Sequence, residues 1–447
     1  MGAGESGTGA ALLAKAKGYD VFVSDNGLIG EKFKNQLVAA NIDFEEERHS
    51  KLKILKSRMV IKSPGIPEKA PIIKEIRDAG IKIVDEIEFA FSYTKAKLIA
   101  ITGTNGKTTT TLLTYHLLKE AGLKVGLAGN VGHSLAKQVI KDEFDYYVVE
   151  MSSFQLDGCY SLKPFISILL NITPDHMDRY DYKIENYVNS KFRIIQNIDA
   201  QDHFIYYVDN ELIKQGVNHL NIENGLMPVS LEQTQSYGYF QDGVMNVGSF
   251  SINQIDTALL GKHNAINMMS AISAAQLVGI DEQSIKASLK TFKNAPHRME
   301  YVATINNVRF INDSKATNVD AVKYALDSFS EPLVWIAGGI DKGNQYDLIM
   351  DAVNEKVKAL VCLGKDNSKL RDAFHNKIIN MMETDNIQEA VKASLDYAEA
   401  HDVVLLSPAC ASFDLFNNYE DRGNRFRQAV LELKNDFEMS INDGTKN

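Results

Sequence analysis

The sequence predicts an α/β protein of three domains. Short β-branched runs alternate with helical patterns almost throughout the chain. Several of the runs are continuously apolar, as parallel strands covered on both faces must be. The length of 447 residues, at about 150 residues per domain, allows three. The strand candidates, in order, are Val21–Ser24, Leu98–Thr102, Tyr146–Glu150, Ile166–Asn171, Val334–Ala337, Ala359–Leu363 and Val403–Ser407. Residues 200–258 read differently, polar and turn-rich with short extended pieces. They are expected to form a small β-rich appendage or second sheet of the middle domain. One boundary is expected near Tyr93–Lys97, and another near Lys293–Pro296, where Asn294 and Pro296 break a helix. The domains are then 1–94, 95–294 and 295–447.

Composition narrows the function. Lysine and arginine total 48 against 58 aspartate and glutamate, a net charge of −10. That balance argues against a general binder of nucleic acid or anionic membrane. Hydrophobic residues at 45% and charged residues at 24% suit a globular chain rather than a disordered one. Three cysteines (Cys159, Cys362, Cys410) are too few and scattered for a disulfide framework or a four-thiolate metal site. No apolar run approaches the length that spans a bilayer, and no signal-peptide core opens the chain. A cytoplasmic enzyme is the expectation.

The strongest local signal is Leu98-Ile-Ala-Ile-Thr-Gly103-Thr-Asn-Gly106-Lys107-Thr108-Thr109. An apolar strand runs into a glycine turn, and a helix follows with Leu113, Leu117 and Ala121 at helical spacing. Gly103 and Gly106 let backbone N–H groups converge on phosphate oxygens at the helix N-terminus. Lys107 would reach the β- and γ-phosphates, and the Thr108 hydroxyl a Mg²⁺ ion. The usual first glycine of such a loop falls at Ile101, so this is a shortened variant.

Near the start stands Gly2-Ala-Gly4-Glu5-Ser6-Gly7-Thr-Gly9, followed by a helix, a strand and Asp25. The pattern is that of a dinucleotide fingerprint, but the strand that should precede the glycines is missing. Some nucleotide-like ligand suits this loop better than a nicotinamide dinucleotide. Glu150 ends a strand, where open α/β sheets place ligands, so its carboxylate suits a metal beside a triphosphate. His176, in Asp175-His-Met-Asp-Arg-Tyr180, suits a metal ligand or a purely structural role. Lys191 flanks the stripe Ile184, Val188, Phe192 and Ile195, which reads as a snorkelling lysine on a surface helix. Farther on come Asn264 and Asn267 at a helix start, then Arg298, Asp313, Lys315, Thr317, Lys342, Ser412 and Phe413. Lys315 and Arg298 suit a transferring phosphoryl group, Lys342 and Ser412 a small anionic substrate.

The segments 103–109, Ser-Ser-Phe-Gln at 152–155, 175–180, Asn-Asp-Ser-Lys-Ala-Thr-Asn at 312–318 and Ser-Pro-Ala-Cys-Ala-Ser at 407–412 occur in that order. Their joint pattern resembles the Mur ligase family over essentially the whole chain, and the last two segments resemble its D-glutamate-adding branch. The resemblance implies a Rossmann-like N-terminal domain, a P-loop ATPase-like central domain with a small extra sheet, and a Rossmann-like C-terminal domain. It implies an ATP-dependent ligase that adds D-glutamate to UDP-N-acetylmuramoyl-L-alanine through an acyl-phosphate, working as a monomer away from membranes and nucleic acids. Gly103, Thr104, Asn105, Gly106, Lys107, Thr108, Thr109, Asn264, Asn267, Arg298 and Asp313 would contact ATP. Glu5, Ser6, Asp25, Asn26, Ser63, Gly65, Asn130 and His176 would surround the UDP substrate. Lys315, Thr317, Lys342, Ser412 and Phe413 would take D-glutamate. Thr108 with Glu150 would hold one Mg²⁺, and His176 with a carboxylated Lys191 a second; Lys107, His176 and Lys191 would be catalytic. His176 is one candidate to take the proton of the incoming amine. Three alternatives stay open: a ligase of the same family with another amino acid or with folates, a nicotinamide-dependent dehydrogenase, and an inactive nucleotide-binding regulator.

Overall fold

The structure, a computed structural model, describes residues 1–220 and 225–444. The chain divides into two compact units, Met1–Lys293 and Asn294–Asn447.

Unit 1 opens with two parallel strand pairs, β1 (Phe22–Ser24) with β2 (Asp43–Glu45) and β3 (Met59–Ile61) with β4 (Lys82–Val84). Met1 and Gly2 bridge the two pairs through backbone hydrogen bonds. Gly2 N donates to Ser24 O at 3.0 Å, Met1 N to Ile61 O at 2.6 Å, and Ser63 N to Met1 O at 3.0 Å. The opening glycines thus follow a segment paired on both sides, although no named strand precedes them. They also have a packing reason. A Cβ on Gly7 would lie 1.9 Å from Gly2 O, and one on Gly9 the same distance from Ser134 Oγ. Only glycine lets the helix Glu5–Ala16 close on both neighbours.

The rest of unit 1 is built on a nine-stranded sheet. Its strands are β5 (Lys97–Thr102), β6 (Val125–Gly129), β7 (Tyr146–Glu150), β8 (Ile166–Leu169), β9 (His203–Tyr207), β10 (Leu226–Ser230), β11 (Gly238–Gln241), β12 (Val244–Val247) and β13 (Phe250–Asn253). The order is β13-β12-β11-β10-β9-β8-β5-β7-β6, parallel from β6 to β11 and antiparallel beyond. Burial on both faces explains the apolar runs. Ile99 and Ile101 of β5 face a core with Leu113 and Leu117 of the helix Lys107–Glu120, while Leu98 and Ala100 face Leu135, Leu156 and Ile194.

The fold class is as the sequence predicts, with one difference in detail. The strands expected as a small second sheet continue the main one, because β9 pairs with β8 in parallel and leaves an edge for β10. The join to the β11–β13 meander is slight, two residue pairs between β10 and β11.

Unit 2 carries six strands, β14 (Glu300–Ile305), β15 (Val308–Asn312), β16 (Leu333–Ala337), β17 (Val357–Leu363), β18 (Asn380–Thr384) and β19 (Val403–Leu406). Their order is β14-β15-β19-β16-β17-β18, parallel except for the β14–β15 pair. Trp335 is fully buried, and its indole N–H donates to Ser407 O at 2.7 Å. In both units the strand C-terminal ends carry the chemistry-bearing loops, as open α/β sheets dictate.

Candidate active site

In unit 1 the site begins where β5 meets the helix Lys107–Glu120. Gly106 caps that helix at φ +84°, and a Cβ there would lie 2.4 Å from Asn267 Oδ1. The turn is fixed from the loop after β8. Thr104 N donates to Asn171 O at 2.9 Å, Asn105 N to Asn171 Oδ1 at 2.8 Å, and Thr104 Oγ1 to Thr173 O at 3.1 Å. Asn264 and Asn267 lie one turn apart in the helix Lys262–Leu277, and both are buried. Asn267 Nδ2 donates to Asn264 Oδ1 at 3.2 Å, and Asn267 Oδ1 accepts from Thr110 Oγ1 at 3.1 Å. These two residues therefore brace the glycine turn from a second helix.

Two lysines meet at one carbonyl. Lys107 Nζ donates to Gly103 O and Thr104 O, each at 2.8 Å, and Lys191 Nζ donates to Gly103 O at 2.7 Å. Lys191 is 1% exposed, so its reading as a snorkelling surface lysine is overturned. Its helix Ile184–Phe192 also buries Tyr187 and Ser190 on that side, a face the apolar stripe did not mark. Burial, and then the Lys107 charge, drive its pKa well below the ordinary lysine range, against the pull of Asp175 and Asp157. The amine is thereby pushed toward its neutral form.

Glu150, 1% exposed, ends β7 beside both β5 and β6. Its Oε1 accepts from Asn130 Nδ2 at 2.9 Å, and its Oε2 is buried with no hydrogen-bond partner. A buried carboxylate oxygen without a donor is costly and suits a cation. No three histidine, cysteine or acidic side chains converge as metal ligands among the described residues. The Glu150 carboxylate thus places one acidic donor here for an ion whose remaining ligands come from elsewhere. His176 follows β8 in the left-handed region at φ +53°, with its Nε2 3.5 Å from Asp175 Oδ2 and its ring edge-on to Phe154.

The residues expected around a UDP substrate also fall in unit 1. Glu5 and Ser6 start the helix Glu5–Ala16, and Asp25 follows β1 with its Oδ2 accepting from Ala3 N at 2.7 Å. Asn26 is exposed in the turn after it, and Ser63 and Gly65 lie in the loop after β3.

Unit 2 collects the others. Asp313 follows β15, accepting from Met299 N at 3.2 Å and Ser407 Oγ at 3.1 Å, and burial pushes its pKa up to about 7. Arg298 lies close enough to lower it somewhat. The loop after β16 is folded around Asp341, which accepts from Gly343 N at 2.7 Å and Lys369 Nζ at 2.6 Å, with Lys342 exposed at its tip. A Cβ on Gly339, at φ +123°, would lie 2.1 Å from Ala411 O, so glycine is what lets this loop meet the one carrying Ser412. Thr317 lies in the loop after β15, and Ser412 is buried. Phe413 is 69% exposed and stands outside these contacts.

Sequence reasoning missed several residues that organise these loops. Tyr419 lies with its ring centre 3.6 Å from Lys315 Nζ. Arg422, 1% exposed, donates to Ser314 Oγ and O, Gly338 O and Cys410 O, joining the loops after β15, β16 and β19. An arginine in the helix Tyr419–Gly444 gives no signal of burial, and Asn171, expected as the last residue of a strand, lies instead in the loop after β8.

Three family descriptions match the chain: MurD N-terminal domain over residues 1–72, Mur ligase middle domain over 101–275, and Mur ligase, glutamate ligase domain over 297–410. The chain is 52% identical over 441 residues to the UDP-N-acetylmuramoylalanine–D-glutamate ligase of Cytophaga hutchinsonii, covering 97% of this chain and 98% of that one. It is 48% identical over 438 residues to the enzyme of the same name from Bacteroides fragilis, covering 97% and 99%. Among solved structures, the MurF ligase from Thermotoga maritima in complex with ADP is similar in fold, with a TM-score of 0.63 at 15% identity over 96% of this chain and 99% of that one.

Proposed function

The chain belongs to the Mur ligase family, and we propose that it joins D-glutamate to UDP-N-acetylmuramoyl-L-alanine with ATP, in cytoplasmic synthesis of peptidoglycan precursors. The observation that carries the chemistry is the meeting of Lys107 and Lys191 at Gly103 O, on the turn that opens a helix N-terminus. The choice of D-glutamate rests on the names of the near full-length relatives.

A carboxylate is a poor electrophile, so the terminal carboxylate of the L-alanyl substrate first takes the γ-phosphoryl group of ATP. The N–H groups of the 103–109 turn and the Lys107 cation stabilise the charge on the phosphates. Asn264, Asn267, Arg298 and Asp313 are assigned to the rest of the nucleotide. The amine of D-glutamate then attacks the acyl-phosphate carbonyl; phosphate leaves with the C–O bond, an amide C–N bond forms, and the amine gives up a proton. Lys315, Thr317, Lys342, Ser412 and Phe413 are assigned to D-glutamate, and Glu5, Ser6, Asp25, Asn26, Ser63, Gly65, Asn130 and His176 to the UDP substrate.

Thr108 and Glu150 would hold one Mg²⁺, and His176 with Lys191 a second, the unpartnered Glu150 Oε2 supporting the first assignment. Such ions, when bound, offset negative charge on the phosphates and the attacked carboxylate. Lys191 as an amine cannot serve while protonated. A neutral amine adds to CO₂, forming an N–C bond and releasing a proton, and the resulting carbamate offers oxygens that a hard cation prefers. It would also turn Lys191 from a repelling to an attracting neighbour of Lys107.

The test is phosphate release from ATP in the presence of UDP-N-acetylmuramoyl-L-alanine. Release should depend on D-glutamate and be small with L-glutamate, lysine or diaminopimelate. Comparable release with diaminopimelate would overturn the assignment.

A further inference from the structure

An arginine joins two loops of unit 1, one that the proposed function assigns to the UDP substrate and one that it assigns to that substrate and to a metal ion. Arg179, in the loop after β8, sends its Nη2 to Pro64 O at 3.2 Å and Gly65 O at 3.5 Å, in the loop after β3. Its guanidinium also covers the Phe154 ring, 4.4 Å from the centroid. That ring meets His176 edge-on with centroids 5.1 Å apart, and Tyr180 stacks near it at 6.1 Å and 16°. One planar group therefore touches the backbone beside Ser63 and, through one phenyl ring, the histidine three residues before it.

We propose that Arg179 is a positioning residue that couples occupancy of the Ser63–Gly65 loop to the placing of His176. The inference rests on the proposed function, which gives that loop to the UDP substrate and His176 both to that substrate and to a metal ion. The geometry explains why the residue is arginine. A guanidinium can hold a carbonyl in its own plane while presenting a flat face to an aromatic ring, and an ammonium cannot do both. His176 needs such external support, because its φ of +53° is a conformation that side-chain-bearing residues resist. A ligand that fixes the Pro64 and Gly65 carbonyls fixes the guanidinium plane, hence the Phe154 ring and the histidine packed on its edge. Lys69 Nζ also links the loops, to Asp181 at 3.2 Å and Asp178 O at 3.5 Å, but it is exposed and adds little.

Coupling of this kind is reciprocal, so it is read as a ratio of affinities. The affinity for UDP-N-acetylmuramoyl-L-alanine is measured by calorimetry, alone and with saturating ADP and Mg²⁺. In the unsubstituted protein the ratio of the two affinities should be about fivefold or more, the lower end of usual coupling. In Arg179→Ala it should fall to about twofold or less. Arg179→Lys, a milder change should the alanine variant fold poorly, should lose most of the ratio as well, and Lys69→Ala should keep it. An equal ratio in Arg179→Ala, or a ratio of one in the unsubstituted protein, overturns the inference alone. Failure of the unsubstituted protein to bind the UDP compound under either condition overturns the functional reading and this inference with it.

Discussion

Unit 1 and unit 2 each bury a cation at 1% exposure against backbone carbonyls, and they do so in opposite ways. Arg422 in unit 2 makes four hydrogen bonds to three loops, and burial lowers its pKa only to about 10, so it stays charged at neutral pH. Lys191 in unit 1 has one bond, to a carbonyl it shares with Lys107, and it is driven toward neutrality. A guanidinium cannot shed its charge and must be satisfied, so it organises structure. An ammonium can shed its proton, and one held with a single acceptor beside another cation is pushed toward the neutral amine. The same burial thus goes with a four-bond tie in one unit and, in the other, with an amine pushed toward its neutral form, which the proposed function makes the site of carboxylation.

The largest effect should follow from removing that amine. Lys191→Ala should lower the ligase rate by about 10²–10³-fold, the range for loss of one preorganised electrostatic partner. Short carboxylic acids should restore part of it by replacing the missing oxygens. Lys191→Arg breaks the comparison most directly, since it keeps a cation but cannot be carboxylated, and it should be as slow as the alanine variant without rescue. The unsubstituted protein in ¹³C-bicarbonate should give a carbamate NMR signal that both variants lack. Full activity of Lys191→Ala at ordinary Mg²⁺ would remove the role.

Arg422→Met should act on stability first. It leaves the Ser314, Gly338 and Cys410 carbonyls short of a donor, and buried acceptors stranded in this way cost about 1–3 kcal/mol each. We expect unit 2 to lose about 3 kcal/mol or more in denaturant unfolding, with a raised KM for D-glutamate because the loops carrying Lys315, Lys342 and Ser412 lose their common tie. Arg422→Lys should recover little, since one nitrogen cannot reach acceptors on three loops. An unchanged unfolding midpoint would show the tie to be redundant.

The contrast also separates what the sequence revealed from what it hid. The glycine turn, its lysine and Glu150 were legible because apolar parallel strands announce themselves and ligand loops follow their C-terminal ends. The glycines at 7 and 9 were legible as a pattern, but their service to close packing against Gly2 and Ser134 was not. Lys191 misled because the apolar stripe of its helix is only half-buried, whereas the fully buried face carries Tyr187, Ser190 and Lys191. Arg422 and Glu86, both buried, gave no signal at all. Burial of a charged side chain is decided by elements distant in sequence, which local periodicity does not encode.

Glu86 extends the comparison to a buried acid. Its carboxylate accepts from Ser134 Oγ at 2.7 Å and Ala136 N at 2.6 Å, and burial, helped by the Glu5 charge, raises its pKa from 4.5 to about 7. A raised acid pKa means that the folded state holds the proton where the unfolded state has released it. Stability should therefore fall as pH rises from about 4.5 to about 7 and level off above. The rise from 4.5 to about 7 bounds this group's share at about 3 kcal/mol. Glu86→Gln should remove that share of the slope, giving unfolding free energies close to the parent at pH 5 and above it at pH 8. Parallel pH curves for the two proteins would mean that Glu86 is not the group titrating.

The smallest effect belongs to a cation that is not buried. Lys342 is exposed at the tip of the loop built on Asp341, so water competes for its charge before any substrate arrives. A charge-assisted bond to a substrate carboxylate made from such a position should contribute near the lower end of its range, about 1.5 kcal/mol. Since 1.4 kcal/mol is tenfold in affinity, Lys342→Ala should raise the KM for D-glutamate by about tenfold. The KM for ATP should stay nearly unchanged, because the nucleotide is assigned to other loops. Lys342→Arg should keep most of the affinity, which is the reverse of what Lys191→Arg should do. On the proposed assignments, an exposed lysine needs only its charge, whereas the buried one needs to lose it. A Lys342→Ala defect confined to ATP, or a Lys342→Arg protein as weak as the alanine variant, would place the substrate carboxylate elsewhere.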